Sequence, residues 1–146
     1  MKELSAIIGQ LTTPGVQPGV LATLVTAEGS SYRRPGARLL VTAGGERLGS
    51  ISGGCLEEDV LARARAVAAT GRADLVVYDT TSENDLVWGV GLGCHGVVQV
   101  LLEKLSLSPA WVLTLAANLA VRRSTELAVV WRSADPALLG THLAAE

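Results

Sequence analysis

At Ser52-Gly53-Gly54 the chain changes period, and that change constrains its fold more than any other feature. Before it, Leu48-Gly49-Ser50-Ile51-Ser52 reads as a strand entering a tight turn. After it, Leu56, Val60, Ala64, Val67 and Ala68 recur at helical spacing, and Gly71 supplies a stop. Asp59 and Arg63 fall four apart on the polar side, in the favourable acid-first order. A strand that passes through two glycines into an amphipathic helix points to a helix packed back on a sheet.

The remaining segments supply the partners. Leu4, Ile7, Ile8 and Leu11 mark a first helix, ended by Thr12-Thr13-Pro14-Gly15. Val20-Leu21-Ala22-Thr23-Leu24-Val25-Thr26 predicts a strand buried on both faces. Arg38-Leu39-Leu40-Val41-Thr42 predicts another, turned by Ala43-Gly44-Gly45-Glu46 into a hairpin with the stretch before Ser52. Asp74–Asp79 and Val97–Leu102 follow as strands. The connection from Thr80 to Gly96 is too long for an ordinary loop, so it is either functional or holds a short element. Ser108-Pro109 is a helix-start signature, with Trp111, Leu115 and Leu119 spaced behind it. Leu127–Trp131 reads as a last strand, Asp135-Pro136 opens a short turn or helix, and the tail from Gly140 carries no strong pattern. The expected architecture is a single α+β domain over residues 1–146. It has a mixed sheet of about five or six strands with helices packed against it, and no Rossmann domain.

Composition excludes several function classes. The net charge is −2 and the pI about 5.7, so the basic footprint of a nucleic-acid-binding protein is missing. No apolar run approaches the ~20 residues that span a bilayer. Two cysteines make no disulfide framework and no leader pattern opens the chain, so a reduced, cytoplasmic protein is expected. With 49% hydrophobic residues, 3% aromatics and no Phe, the core must be built of Leu, Val, Ile and Ala, with Trp88, Trp111 and Trp131 as its large pieces. So apolar a short chain also suggests an oligomeric or partner interface.

The chemistry concentrates in three loops. Backbone N–H groups at Ser52-Gly53-Gly54, backed by a helix dipole, can bind an anion; the alternative is a sharp turn and nothing more. The sequence there is neither a dinucleotide fingerprint nor a P-loop. Cys55 sits where a helix N-terminus lowers a thiol pKa, but Glu57, Glu58 and Asp59 oppose that, and a small buried hydrophobe is the plainer reading. Cys94-His95 adds a soft and a borderline ligand, yet no C-x-x-C pair supports a zinc site. The loop Glu28-Gly29-Ser30-Ser31-Tyr32-Arg33-Arg34-Pro35-Gly36 offers hydroxyls and guanidiniums suited to phosphate or carboxylate, or is a solvated turn. If it faces Ser52-Gly53-Gly54, the two make one anion pocket. Asp79, Glu83, Asp85 and Glu103 are further acidic candidates.

Taken in order, these motifs resemble the XdhC/CoxI family. Gly29–Ala37 is similar to its first signature, Gly49–Glu57 to its second, and Gly91-Leu92-Gly93-Cys94 to its third, with Glu103 matching the acid that follows. The resemblance covers residues 3–105 and continues more weakly over 106–146. Gly93-Cys94-His95-Gly96 departs from the Gly-Cys-Gly-Gly usual in the family, and the Rossmann-type second domain of many relatives is not among these residues. The resemblance implies a chaperone or maturation factor that binds molybdenum cofactor (molybdopterin) transiently and assists its sulfuration. The cofactor then enters an apo molybdenum hydroxylase of the xanthine dehydrogenase or carbon monoxide dehydrogenase type. It implies Ser30, Ser31, Arg33, Ser52, Gly53, Gly54, Cys55, Glu57, Cys94 and His95 as cofactor-binding residues, with Cys55 and Cys94 near the molybdenum. Implied partners are the apo-enzyme, further copies of the chain and a separate Rossmann-domain protein, with no nucleic acid and no membrane. Two rival classes are a thiol or persulfide sulfur-transfer or redox component of an enzyme, and a docking module that holds no cofactor.

Overall fold

A computed structural model describes residues 2–81 and 96–145. Helix α1 (Lys2–Leu11) leads into β1 (Val20–Gly29), β2 (Arg38–Val41) and β3 (Arg47–Gly49). Helix α2 (Glu57–Thr70) follows, then β4 (Asp74–Asp79) and β5 (Gly96–Lys104). Helix α3 (Ala110–Ala120), β6 (Glu126–Val129), a 3₁₀ turn at Pro136–Leu138 and β7 (His142–Ala145) complete the chain. Five strands form one sheet in the order β3-β2-β1-β5-β4, and β6 pairs with β7 in a small second sheet.

The α+β class and the five main strands are as expected, but every pairing is antiparallel, so the large sheet is not mixed. The reason is where α2 delivers the chain. A strand–helix–strand crossover can set two strands parallel and side by side. Here α2 crosses the sheet and delivers β4 to the edge opposite β3, where it pairs with β5. Two local expectations also shift. The strand before the glycine turn ends at Gly49, whose φ is +90°, so Ser50–Ser52 lie outside it. Pro109 stands at the cap of α3 with no side-chain cap, and Ser108 is outside the helix with φ +47°. The tail without a pattern holds β7.

β1 is central because its continuous apolar run has a core on each face. Val20, Ala22 and Leu24 point with Leu39, Val100 and Leu102 toward Val60, Ala64 and Val67 of α2. Leu21 and Leu40 point the other way, onto Ile7, Ile8 and Leu11 of α1 and Trp111, Val112 and Leu115 of α3. A bulge between Leu24 and Thr26 bends β1 before it reaches the loop after Gly29. On the α2 face, the buried Tyr78 of β4 donates its hydroxyl to Asp59 at 2.6 Å, and Arg63 Nε donates to the same oxygen at 2.7 Å. That network ties the first turn of α2 to the sheet edge. It fixes the glycine turn immediately before α2.

Candidate functional site

The glycine turn is held by a serine and a glutamate. Ser52 is buried, and its Oγ accepts from the N–H of Gly54 at 3.1 Å and of Leu56 at 3.2 Å. Its own N–H donates to Glu57 Oε1 at 3.0 Å, and its hydroxyl contacts Glu57 Oε2. Ser50 Oγ lies 2.5 Å from the Ser52 carbonyl oxygen and 3.2 Å from Glu57 Oε1. The arrangement works as a capping box displaced outward, because α2 has Leu56 at its cap position with no side-chain cap of its own. Burial pushes the Glu57 carboxyl up, but hydrogen bonds from Ser52, its own backbone N–H and Ser50 outweigh that and hold it below its ordinary value. Of the N–H groups expected to greet an anion, those of Ser52 and Gly54 are therefore already engaged, as is that of Leu56. Those of Gly53 and Cys55 have no partner among the described residues.

The loop after β1 does face this turn, but through its serines and tyrosine. Ser30, Ser31 and Tyr32 line one small cavity with Ser52, Cys55 and Thr80. Its volume is about 20 Å³, room for about one water. Cys55 is half-buried there as a free thiol. Gly53 is a glycine because Tyr32 lies on it. A Cβ built there would sit 3.1 Å from Tyr32 Cδ2, 3.2 Å from Cγ and 3.4 Å from Cε2, closer than ring atoms ordinarily approach. Gly96 is a glycine for a similar reason, since a Cβ on it would lie 2.3 Å from the Ser30 carbonyl oxygen. That close approach lets the Ser30–Tyr32 loop rest on the start of β5. Thr80 locks the same corner, its N–H and hydroxyl both 2.9 Å from the Gly96 carbonyl oxygen.

Arg33 points elsewhere. Its guanidinium meets Glu3 of α1 at 2.8 Å, and Glu3 also accepts from the Arg38 N–H at 3.1 Å. The salt bridge clamps the loop to α1 and leaves Arg33 off the cavity. Of the acidic candidates, Glu103 stands at the other end of β5 from Gly96, on the α3 face, against His142. Cys94, His95, Glu83, Asp85 and Trp88 lie outside the described residues. Two residues of the cavity escaped the sequence reading. Tyr32 is a loop residue in a chain poor in aromatics, which is a usable signal; Thr80 carries none. Among the described residues no three His, Cys, Asp or Glu side chains are placed to hold a metal ion. No helix among them is long and apolar enough to cross a membrane.

Residues 15–79 match the family described as the XdhC and CoxI family. A Bacillus subtilis (strain 168) protein, named as a probable component of xanthine dehydrogenase, is 46% identical over 90 residues, covering 62% of this chain and 27% of that protein. A solved structure described as a xanthine dehydrogenase from Bacillus halodurans aligns with a TM-score of 0.70 and 36% identity. It covers 87% of this chain and 37% of that one. The chain thus spans well under half the length of either relative. The family match includes the Ser30–Tyr32 loop, the Ser52–Glu57 turn and α2 up to β4.

Proposed function

Because residues 15–79 belong to the XdhC and CoxI family, we propose that this chain is a maturation factor. It carries molybdenum cofactor to an apo molybdenum hydroxylase, of the xanthine dehydrogenase type suggested by the names of its relatives. The cofactor is cargo, held for sulfuration and then released. One observation carries the reading. The Ser30–Tyr32 loop and the Ser52–Cys55 turn, each resembling a family signature, form the walls of one cavity with a free thiol in it.

The residues fit the cargo at the rim and not in the depth. Serine hydroxyls, the unengaged N–H groups of Gly53 and Cys55 and the Cys55 thiol can meet phosphate, oxo and sulfur groups. A cavity of about 20 Å³ cannot enclose a pterin. The cargo would therefore lie across the mouth, a placement that favours release over permanent tenure. Ser52 and Glu57 act through the turn, holding the Gly53 and Cys55 backbone outward. Cys94 is two residues from Gly96 in the chain, and the third motif belongs to the proposal on that ground.

The purified chain, mixed with molybdenum cofactor released from a molybdoenzyme, should carry molybdenum through gel filtration. Cys55→Ser should weaken retention by about tenfold if the thiol makes one good contact, a change worth about 1.4 kcal/mol. A wild-type chain that elutes without molybdenum would overturn the carrier reading. Persulfide on Cys55 in that empty protein, seen by mass spectrometry, would favour the sulfur-transfer enzyme instead.

A further inference from the structure

We propose that a hollow between α2 and the β2–β3 reversal is a second ligand site, which takes a small organic anion with an apolar body. The inference does not rest on the carrier reading. The hollow has a volume of about 520 Å³, within the roughly 300–1,000 Å³ of small-molecule sites. It shares no lining residue with the cavity beside Cys55. Its floor is apolar, made by Val20 and Val41 of the sheet and Leu61 and Ala64 of α2. Small residues leave that floor open. Gly44 and Gly45 of the reversal and Ala68 of α2 stand around it. Gly19 borders it too, and a Cβ there would fall 1.8 Å from the Val41 carbonyl oxygen, so no side chain fits at that point.

Charge selects the ligand. Arg47, Arg65 and Lys104 line the hollow, and among the described residues no carboxylate does. The neighbouring acids have partners. Glu46 accepts from Gln10 of α1 at 3.4 Å. Glu58 meets Arg47 at 3.5 Å, but with side chains 84% and 52% exposed that pair is too wet to neutralise the arginine. Lys104 Nζ donates to the Ala68 carbonyl oxygen at 2.9 Å, which leaves two of its three donors. Arg65 is exposed and has no partner among the described residues. Its guanidinium is the fork available to a phosphate or carboxylate. A bare anion would leave the floor in water, and a neutral apolar ligand would leave three cations unused. An anion with an apolar body answers both.

The test is isothermal titration calorimetry of the full chain with naphthyl phosphate and with naphthoate, which join one apolar body to either anion. Naphthol and inorganic phosphate supply the two halves alone. At least one of the joined probes should bind one-to-one, and each half should bind about tenfold more weakly or worse. Arg65→Glu should weaken the joined probe by about tenfold. Arg122→Glu makes the same change of charge at an exposed position after α3 and should leave binding unchanged. Ala68→Phe, at an exposed helix position, should narrow the hollow and weaken naphthol as well. Circular dichroism checks the fold, which substitutions at exposed positions should spare. Molybdenum retention by Arg65→Glu should match wild type, so this site and the carrier reading can fail separately. A folded wild-type chain that binds neither joined probe would overturn the proposal. So would naphthol binding as tightly as they do, or equal losses in Arg65→Glu and Arg122→Glu.

Discussion

The sheet carries a polar centre on each face, and the two are built in opposite ways. On the α2 face, Ser50, Ser52 and Glu57 share several hydrogen bonds, and the cluster opens through Cys55 and Tyr32 to solvent. On the α3 face, Glu103 and His142 are sealed, their side chains 6% and 2% exposed and joined by a 2.5 Å hydrogen bond. His142 stacks on Trp111 with ring centres 4.4 Å apart, and Gly140 packs against the Glu103 carboxylate. Glu103 Oε2 and His142 Nδ1 have no partner among the described residues and are closed off from water. A hollow of about 230 Å³ lies beside them, but those two atoms are not open to it. Polarity alone thus does not mark a site. The α2 centre is satisfied behind and accessible in front, as a binding surface must be. The α3 centre is a clasp that holds β7 and α3 to the sheet.

The largest test of this contrast is His142→Ala. It leaves the Glu103 carboxylate buried without its partner, so stability should fall by about 3–5 kcal/mol, read as a lower midpoint in urea unfolding. At a temperature where the variant is folded, cofactor retention should match wild type. A small loss of stability would mean that water reaches the pair and that it is no clasp.

Glu57→Gln should act more mildly and in a different variable. The carboxyl is held below its ordinary value in the fold, so it adds stability above its unfolded pKa. That contribution is lost as pH falls through the lower folded pKa. The variant should cost about 1 kcal/mol near neutral pH and flatten the acid side of the stability profile below pH ~4.5. An unchanged acid limb would show that the Ser52–Glu57 hydrogen bonds do not persist in solution.

The sequence disclosed the α2 centre and concealed the other. Long apolar periods marked α2, β1 and α3, and the paired glycines marked the turn, because backbone requirements leave a residue signature. That Arg33 would meet Glu3 was illegible, since thirty positions separate them and only the folded chain joins α1 to the loop. The clasp was hidden for the same reason. β7 is four residues long, its partner Glu103 lies on another sheet, and His142 reads alone as a polar break in a patternless tail. The expected mixed sheet failed because local pattern names strands and is silent about which edge a crossover reaches.

Amide hydrogen exchange with and without molybdenum cofactor compares the two centres in one measurement. The cofactor should slow exchange at Ser31–Arg34 and Gly53–Leu56, on the α2 face, and leave Glu103–Ser106 and Gly140–His142 unchanged. Protection confined to the second pair of segments would contradict the account, because it would place the cargo at the clasp and not on the glycine turn.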